Sequence, residues 1–576
     1  MWRSWSSFTL TEFSDVTLER GWPQTRVCVS ERSLPRTLIA EGHESQTLQQ
    51  STRPHFACGR RSIHLIGCQP GFLEGVAVSN VQHGVTGVAD GTTKKVTIIG
   101  AGVAGLVAAY ELEKRGHLVE IMEGSNRIGG RIYTHRFHSG PDAPLIELGA
   151  MRIPVKHRRT MQYVTKLGLA DKVRTFNTLF SDTDSYCTTS AGHTRVRDAA
   201  KMLTTDFLRS LPDGRYSDDT ILFGAWLTAI GDAIAPSDFR DSLRDDFRLE
   251  LLELINQFDL SPFLRGDNRD RVDIHAFFAV HPEVRMSNNG RLNRFLDDIL
   301  SETGPDLVRL GGGMDQIVRR LAGRIRGPIS CGQEVVGIDS CDDHVTVAVR
   351  DGDHILARRC DYVLCTIPFS VLGRLRLTGL SEDKMAVIHD AKYWSATKVA
   401  FHCREPFWES DGISGGASFC GGSLRQTYYC PVEGDPAGGA ALLASYTIGA
   451  DADALGCLPA NVRHALVLQE LSKMHPELLH PGMVLDAVSL TWGQHWWSEG
   501  AACVRWGKDT RACERERRRA TSPERRLFFA GEHCSSTTAW IEGAIESAVR
   551  AVHEIHFDQP RRLVPVGVPR LEVMTG

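Results

Sequence analysis

No run of the 576 residues approaches the roughly 18 to 20 consecutive apolar positions that a membrane span requires, so no spanning helix is expected. The first 92 residues contain no lysine; Lys94 is the first. They also lack a basic stretch followed by an apolar core, which argues against a secretory leader. Eight arginines and eight acidic residues balance over 1–92, whereas transit peptides are poor in acid. Without sustained periodicity, 1–92 is expected to be a poorly ordered tail. The fifteen cysteines are scattered singly, with no C-x-x-C and none beside histidine at zinc-finger spacing. That excludes a disulfide framework and leaves no metal expected; reduced thiols in a cytoplasmic protein are the expectation. The net charge of −4 lacks the basic excess of a nucleic-acid binder.

What is present is the composition of soluble globular protein, 42% hydrophobic and 24% charged. The length predicts two or three domains. The most informative stretch is KKVTIIGAGVAGLVAAYELEKRGHLVEIMEGSNRIGGRIYT. Val96 to Ile99 read as a buried parallel strand, the pattern Val103, Leu106, Val107, Tyr110 as a helix, and Leu118 to Met122 as a second strand ending on Glu123. Gly100, Gly102 and Gly105 stand between strand and helix as G-x-G-x-x-G. In that pattern the first glycine allows the tight turn, the second lets backbone approach a pyrophosphate, and the third lets helix and strand pack closely. Val103 and Ala104 open the helix, whose free N–H groups face the phosphates. Glu123, at about the 20-residue interval, suits a ribose hydroxyl. The motif predicts a dinucleotide and does not by itself separate NAD from FAD.

Three further stretches extend the pattern. RIGGR (127–131) follows Glu123 and Gly124. RLFFAGEHCSSTTAWIEGAIESAVRAV reads as a strand, Leu527 to Ala530, then Gly531-Glu532, then an amphipathic helix from about Trp540. Between them GQEVVGIDS and DYVLCTIP read as strands, the second apolar enough for a sheet covered on both faces. Together these resemble the flavin amine oxidase superfamily, and from about 93 to 556 the chain is most similar to its FAD-dependent L-amino acid oxidases. The resemblance implies an α/β, two-domain flavoprotein: a Rossmann-like FAD-binding domain, a mixed-sheet substrate domain and a helical subdomain. The boundaries expected are a tail 1–92, FAD-binding pieces 93–160, 316–375 and 520–560, a helical substrate region 161–315, a substrate-binding domain 376–519 and a tail 561–576.

The same resemblance assigns residues. FAD would be held by Gly100, Gly102, Val103, Ala104, Gly105, Glu123, Gly124, Arg127, Gly130, Arg131, Val335, Gly531, Glu532, Trp540, Ile541 and Ala544, together with Gly149, Ala150, Met151 and Arg152 of ELGAMRIP (147–154). Arg152 interrupts that apolar run with a charge that cannot be neutralised by losing a proton. Taken blind, such an arginine has a structural salt bridge with an Asp or Glu. The resemblance makes it the grip on the substrate carboxylate, aided by Tyr446, because a planar fork matches a carboxylate bidentately. Lys398 would hold a water at the flavin. Trp540, Ala539 and Trp394 would shape the substrate slot, the aromatic at 394 departing from the basic residue of venom members. Tyr393, Trp496, Trp497 and Trp506 suggest an apolar or aromatic substrate. EGAACVRW places Ala502 where monoamine oxidases carry a flavin-linked cysteine, with Cys503 one residue later, so FAD is expected to be non-covalent. The basic run 515–526 is read as a solvated loop, and 200–300 as helices roofing the site without a catalytic residue.

The function implied is oxidation of an L-amino acid to the 2-oxo acid, ammonia and hydrogen peroxide, with hydride passing from the α-carbon to flavin and dioxygen as oxidant. Partners would be the amino acid and dioxygen, with a homodimer left open. The alternatives are an amino acid 2-monooxygenase giving an amide, an amine or polyamine oxidase, and a non-catalytic flavin-binding scaffold.

Overall fold

The computed structural model describes residues 93–140, 142–211, 215–237, 239–240, 250–286, 290–505 and 508–558. The expected tails 1–92 and 561–576, and Trp506, lie outside the described residues.

Five parallel strands form the first sheet, in the order Ile329–Ser330, Leu118–Met122, Lys95–Ile99, Tyr362–Cys365, Leu527–Phe529. Three separated stretches of chain thus meet edge to edge. Side chains alternate across each strand. Val96, Ile98, Leu364 and Phe528 pack under the helices Val103–Lys114 and Ile541–Phe557. Ile99, Val363, Cys365 and Phe529 face a second layer built from Val335–Ser340, Val345–Asp351 and His354–Cys360. Burial on both faces is why these strands read as continuous apolar runs.

A seven-stranded mixed sheet forms the other half. Its order is Val484–Thr491, Ala396–Cys403, Ala440–Ile448, Arg425–Tyr429, Ala417–Gly421, Tyr186–Thr189, Gly192–Arg195. The last two strands arise within 161–315. Helices Asp218–Ile234, Ile274–Val280 and Gly290–Glu302 bury Phe223, Leu227, Phe277 and Leu296 against Ala400, Tyr428 and Leu443 of this sheet.

The basic run corrects one expectation. Most of 515–526 lies in the helix Thr510–Thr521, not a loop. Asp509 caps it by accepting from the Ala512 N–H at 2.7 Å, and Glu514 takes Arg517 at 2.7 Å and Arg518 at 2.8 Å one turn on. Those pairs, with Cys513, Ala520 and Thr521 buried, allow a helix where charge alone suggested solvated coil.

Candidate active site

The glycine motif lies where the first strand meets the first helix. Gly100 has φ +104°, and a Cβ there would stand 2.7 Å from Thr366 Oγ1. At Gly105 a Cβ would fall 2.0 Å from the Gly100 carbonyl oxygen, so helix and strand touch through bare backbone. Gly102 differs: a Cβ would meet only the Gly130 Cα, at 4.0 Å, and one on Gly130 only the Gly102 Cα, at 3.4 Å. The two meet as bare backbone at close range at the start of the helix, and both line the cavity there, a cradle that fits a pyrophosphate. Glu123 closes the neighbouring strand, accepting from the Ala101 N–H at 2.8 Å and from Ser125 Oγ at 2.7 Å.

One large cavity runs from this cradle. Its walls include Val103, Ala104, Glu123, Gly124, Arg127, Arg131, Gly149, Ala150, Val335, Gly531, Glu532, Ala539, Trp540, Ile541 and Ala544, and it reaches Lys398 and Tyr446. Gly105, Met151, Arg152 and Trp394 are not among its lining residues. Gly105 serves the packing just described, and Met151 lies behind the wall with its sulfur 3.5 Å from Lys398 Nζ. Trp394 pairs with Ala502 in a two-stranded ribbon; two residues on, Ala396 reaches the cavity.

Glu532 organises the wall at the start of the last helix. One oxygen accepts from Arg131 at 2.8 Å and from the Cys503 N–H at 3.0 Å; the other accepts from the Ala539 N–H at 2.9 Å. Burial alone would lower the Arg131 pKa, but the Glu532 carboxylate raises it. Ala539 has φ +68°, which turns the chain so that Trp540 caps the helix, its indole edge-on to His157 at 5.1 Å. Ala502 lines the cavity, whereas Cys503 is buried and burial pushes its thiol pKa well up.

Lys398 and Trp492 fix ELGAMRIP from opposite sides of its backbone. Lys398 Nζ donates to the carbonyl oxygens of Glu147 at 3.0 Å and Gly149 at 2.8 Å; Trp492 Nε1 donates to that of Leu148 at 2.8 Å. Burial and the nearby Arg152 lower the Lys398 pKa to about 7. The Glu147 carboxyl, accepting from Thr134 and from the Met314 N–H at 2.7 Å, is pushed up to about 7 by burial.

Arg152 is 6% exposed. It donates to Tyr428 Oη at 2.8 Å and forms an ion pair with Glu302. Burial would lower its pKa; Glu302 more than offsets this and raises it. The structural salt bridge that a blind reading favours is therefore present, and Glu302, not Arg152, meets the cavity. Tyr446 lies across Lys398, its ring centre 4.8 Å from Nζ, and burial followed by Glu302 raises its phenol pKa. The site thus includes Glu302, Tyr428, Trp492 and Glu147, none of which the sequence reading selected. Glu302 falls just beyond the 200–300 stretch read as helices without a catalytic residue.

The aromatic residues take three different places. Trp496 is 58% exposed under Arg374. Tyr393 is half-buried, its hydroxyl oxygen accepting from the Phe369 N–H at 2.9 Å. Trp497 packs beside Gly124, at the dinucleotide end of the cavity.

Among the described residues no helix is long and apolar enough to cross a membrane. The sequence profile of flavin containing amine oxidoreductases matches residues 103–556. The flavin-dependent L-tryptophan oxidase RebO of Lentzea aerocolonigenes is 64% identical over 469 residues, 81% of this chain and 99% of that protein. An L-amino-acid oxidase of Mus musculus is 28% identical, covering 80% of this chain and 71% of that one. Among solved structures, a putrescine oxidase bound to putrescine has the same fold, with TM-score 0.55, 20% identity, and 80% and 99% of the two chains covered. The chain belongs to the flavin containing amine oxidoreductase family and is an oxidoreductase with FAD as its cofactor.

Proposed function

We propose that the enzyme oxidatively deaminates an L-amino acid, with L-tryptophan as its substrate, giving the 2-oxo acid, ammonia and hydrogen peroxide. The observation that carries this reading is the buried Arg152, bonded to Tyr428 and Glu302 just behind the wall where Glu302, Lys398 and Tyr446 line the cavity. An amine oxidase has no carboxylate for a buried guanidinium to hold. The choice of tryptophan is supported by the 64% identity to a tryptophan oxidase.

FAD, which Gly102, Glu123, Arg131 and Glu532 would hold, would supply an acceptor for the α-hydrogen and its electron pair, with dioxygen as the final oxidant. The protein positions the substrate. Arg152 and Tyr446 fix the carboxylate so that the α-carbon faces the ring, a constraint worth several kcal/mol of the barrier, on the order expected for well-oriented reactants. Trp540 and Ala539 bound the slot. Lys398, with a pKa near neutrality, holds a water for proton movement beside the reacting centre. Ala502 faces the cavity while Cys503 is buried, which supports non-covalent FAD. The twelve described cysteines are free thiols, which supports a cytoplasmic setting.

The test is to mix purified holoenzyme with each L-amino acid and measure peroxide, ammonia and 2-oxo acid. L-Tryptophan should be turned over fastest, giving indole-3-pyruvate. Turnover confined to simple amines would overturn the reading, and an amide product would replace it with a monooxygenase.

A further inference from the structure

Arg152 lies behind the cavity wall, and the group between it and the cavity is Glu302. The two residues differ in freedom. Arg152 is nearly sealed, with its guanidinium against the Phe176 and Tyr428 rings at 5.6 and 5.9 Å. Glu302 is the last residue of its helix, with a side chain 30% exposed that pairs with Arg152, and its backbone carbonyl accepts from Thr178 Oγ1 at 2.9 Å. Its charge also bears on Tyr446, Lys398 and Arg425. Arg425 is 3% exposed; it donates to the carbonyl oxygens of Ile234 and Tyr446, and its Nε has no acceptor. Glu302 is thus a carboxylate among three buried cations, at the position where a substrate's carboxylate would need to sit.

We propose that Glu302 stands in for the substrate carboxylate, occupying the Arg152 fork in the free enzyme and yielding it to the α-carboxylate of the incoming amino acid. The proposal rests on the reading of the enzyme as an amino acid oxidase. A guanidinium cannot shed its proton, and a buried charge left without a partner is strongly destabilising. Arg152 therefore needs a carboxylate at all times. Exchanging one carboxylate for another keeps the charge of the site constant, and Glu302 turns into the solvent it already touches. Glu302 is then a specificity-determining residue. An amine without a carboxylate has nothing to offer Arg152, so Glu302 stays and fills the slot against it.

The test uses FAD-loaded enzyme and indole-3-propionate, a carboxylate that lacks the amino group and cannot be deaminated. Binding is read from the flavin spectrum, with indole-3-propionamide as the uncharged control. Glu302→Gln, which removes the charge, and Glu302→Asp, which keeps it but shortens the reach, should both bind the acid about tenfold tighter than wild type. The amide should bind all three proteins alike. In crystals of the wild type soaked with the acid, Glu302 should have left Arg152. Unchanged or weaker acid binding in folded variants, or Glu302 still paired with Arg152 beside the bound acid, overturns the proposal. If it fails while wild type oxidises L-tryptophan, only the stand-in role is lost. If wild type oxidises no amino acid, the underlying reading falls.

Discussion

Lys398 and Glu147 are tied across 251 positions of sequence: the lysine ammonium donates to the Glu147 carbonyl oxygen at 3.0 Å, and both side chains are brought to a pKa of about 7. Burial disfavours each charged form, lowering the lysine and raising the acid. The loop behind the cavity wall thus joins two groups whose pKa values burial brings to about 7.

The first consequence concerns Lys398. The pH profile of flavin reduction by substrate should show an ionisation near pH 7. Lys398→Met should remove that step and slow reduction by roughly 10²-fold, the ordinary size of a lost proton-transfer partner. Glu147→Gln should retain the step. Stopped-flow reduction across pH 5.5–9 (a range of about four units around the ordinary catalytic window) separates the two.

Glu147 makes its own prediction through stability. Its folded-state pKa of about 7 lies above the ordinary 4.5. The stability it contributes is therefore full below about pH 4.5 and is lost as pH rises through about 7. Glu147→Gln keeps a neutral side chain at every pH. The difference in unfolding free energy between variant and wild type should then move in favour of the variant between pH 5 and pH 8, by an amount on the order of 1–3 kcal/mol. A difference that is flat with pH would show that the carboxyl is ionised throughout.

The glycines separate packing from ligand contact. A Cβ at Gly105 would lie 2.0 Å from a carbonyl oxygen, whereas one at Gly102 would make only an ordinary contact, 4.0 Å from the Gly130 Cα. Gly105→Ala should destabilise the protein by several kcal/mol, on the order of other overpacked core positions, and abolish flavin binding as a result. Gly102→Ala should melt like wild type as apoprotein, to within about 0.5 kcal/mol, yet bind FAD much more weakly. Calorimetry of the apoproteins and flavin titration distinguish the two.

Sequence and structure agree best where a function is written in consecutive residues. Gly100, Gly102, Gly105 and Glu123 fall within one strand–helix–strand unit, and their local geometry depends on little else. Glu532, Ala539 and Trp540 are likewise one turn, closed by the hydrogen bond from the Ala539 N–H. Glu302 and Tyr428 were not legible because they meet Arg152 across 150 and 276 positions; no spacing rule spans such distances. Trp394 and Trp496 lie outside the cavity lining for another reason. Aromatic character marks a residue as bulky and apolar without saying which way its strand or loop faces. The arginine-rich helix was hidden because its stability comes from pairing, such as Arg519 with Asp383 at 2.6 Å, and one partner lies far away in sequence.

The remaining prediction tests the guanidinium itself. Arg152→Lys keeps the charge but replaces a planar fork with a point donor, so it cannot hold a carboxylate by two parallel bonds. For the amino acid, kcat/KM should fall by about 10- to 100-fold, mostly through KM, because carboxylate binding is made in both ground and transition states. Arg152→Ala removes the charge and leaves the Glu302 carboxylate at the wall without its partner. That negative group should repel an incoming α-carboxylate, so kcat/KM should fall further, by about 10³-fold or more. The double variant Arg152→Ala with Glu302→Gln should recover part of that loss, since the repelling charge is gone while the grip is still missing. Steady-state kinetics on wild type, Arg152→Ala, Glu302→Gln and the double variant therefore form a thermodynamic cycle. Purely additive losses would mean that the two residues act independently on the substrate, and an unchanged kcat/KM in Arg152→Lys would mean that the fork does not hold the carboxylate.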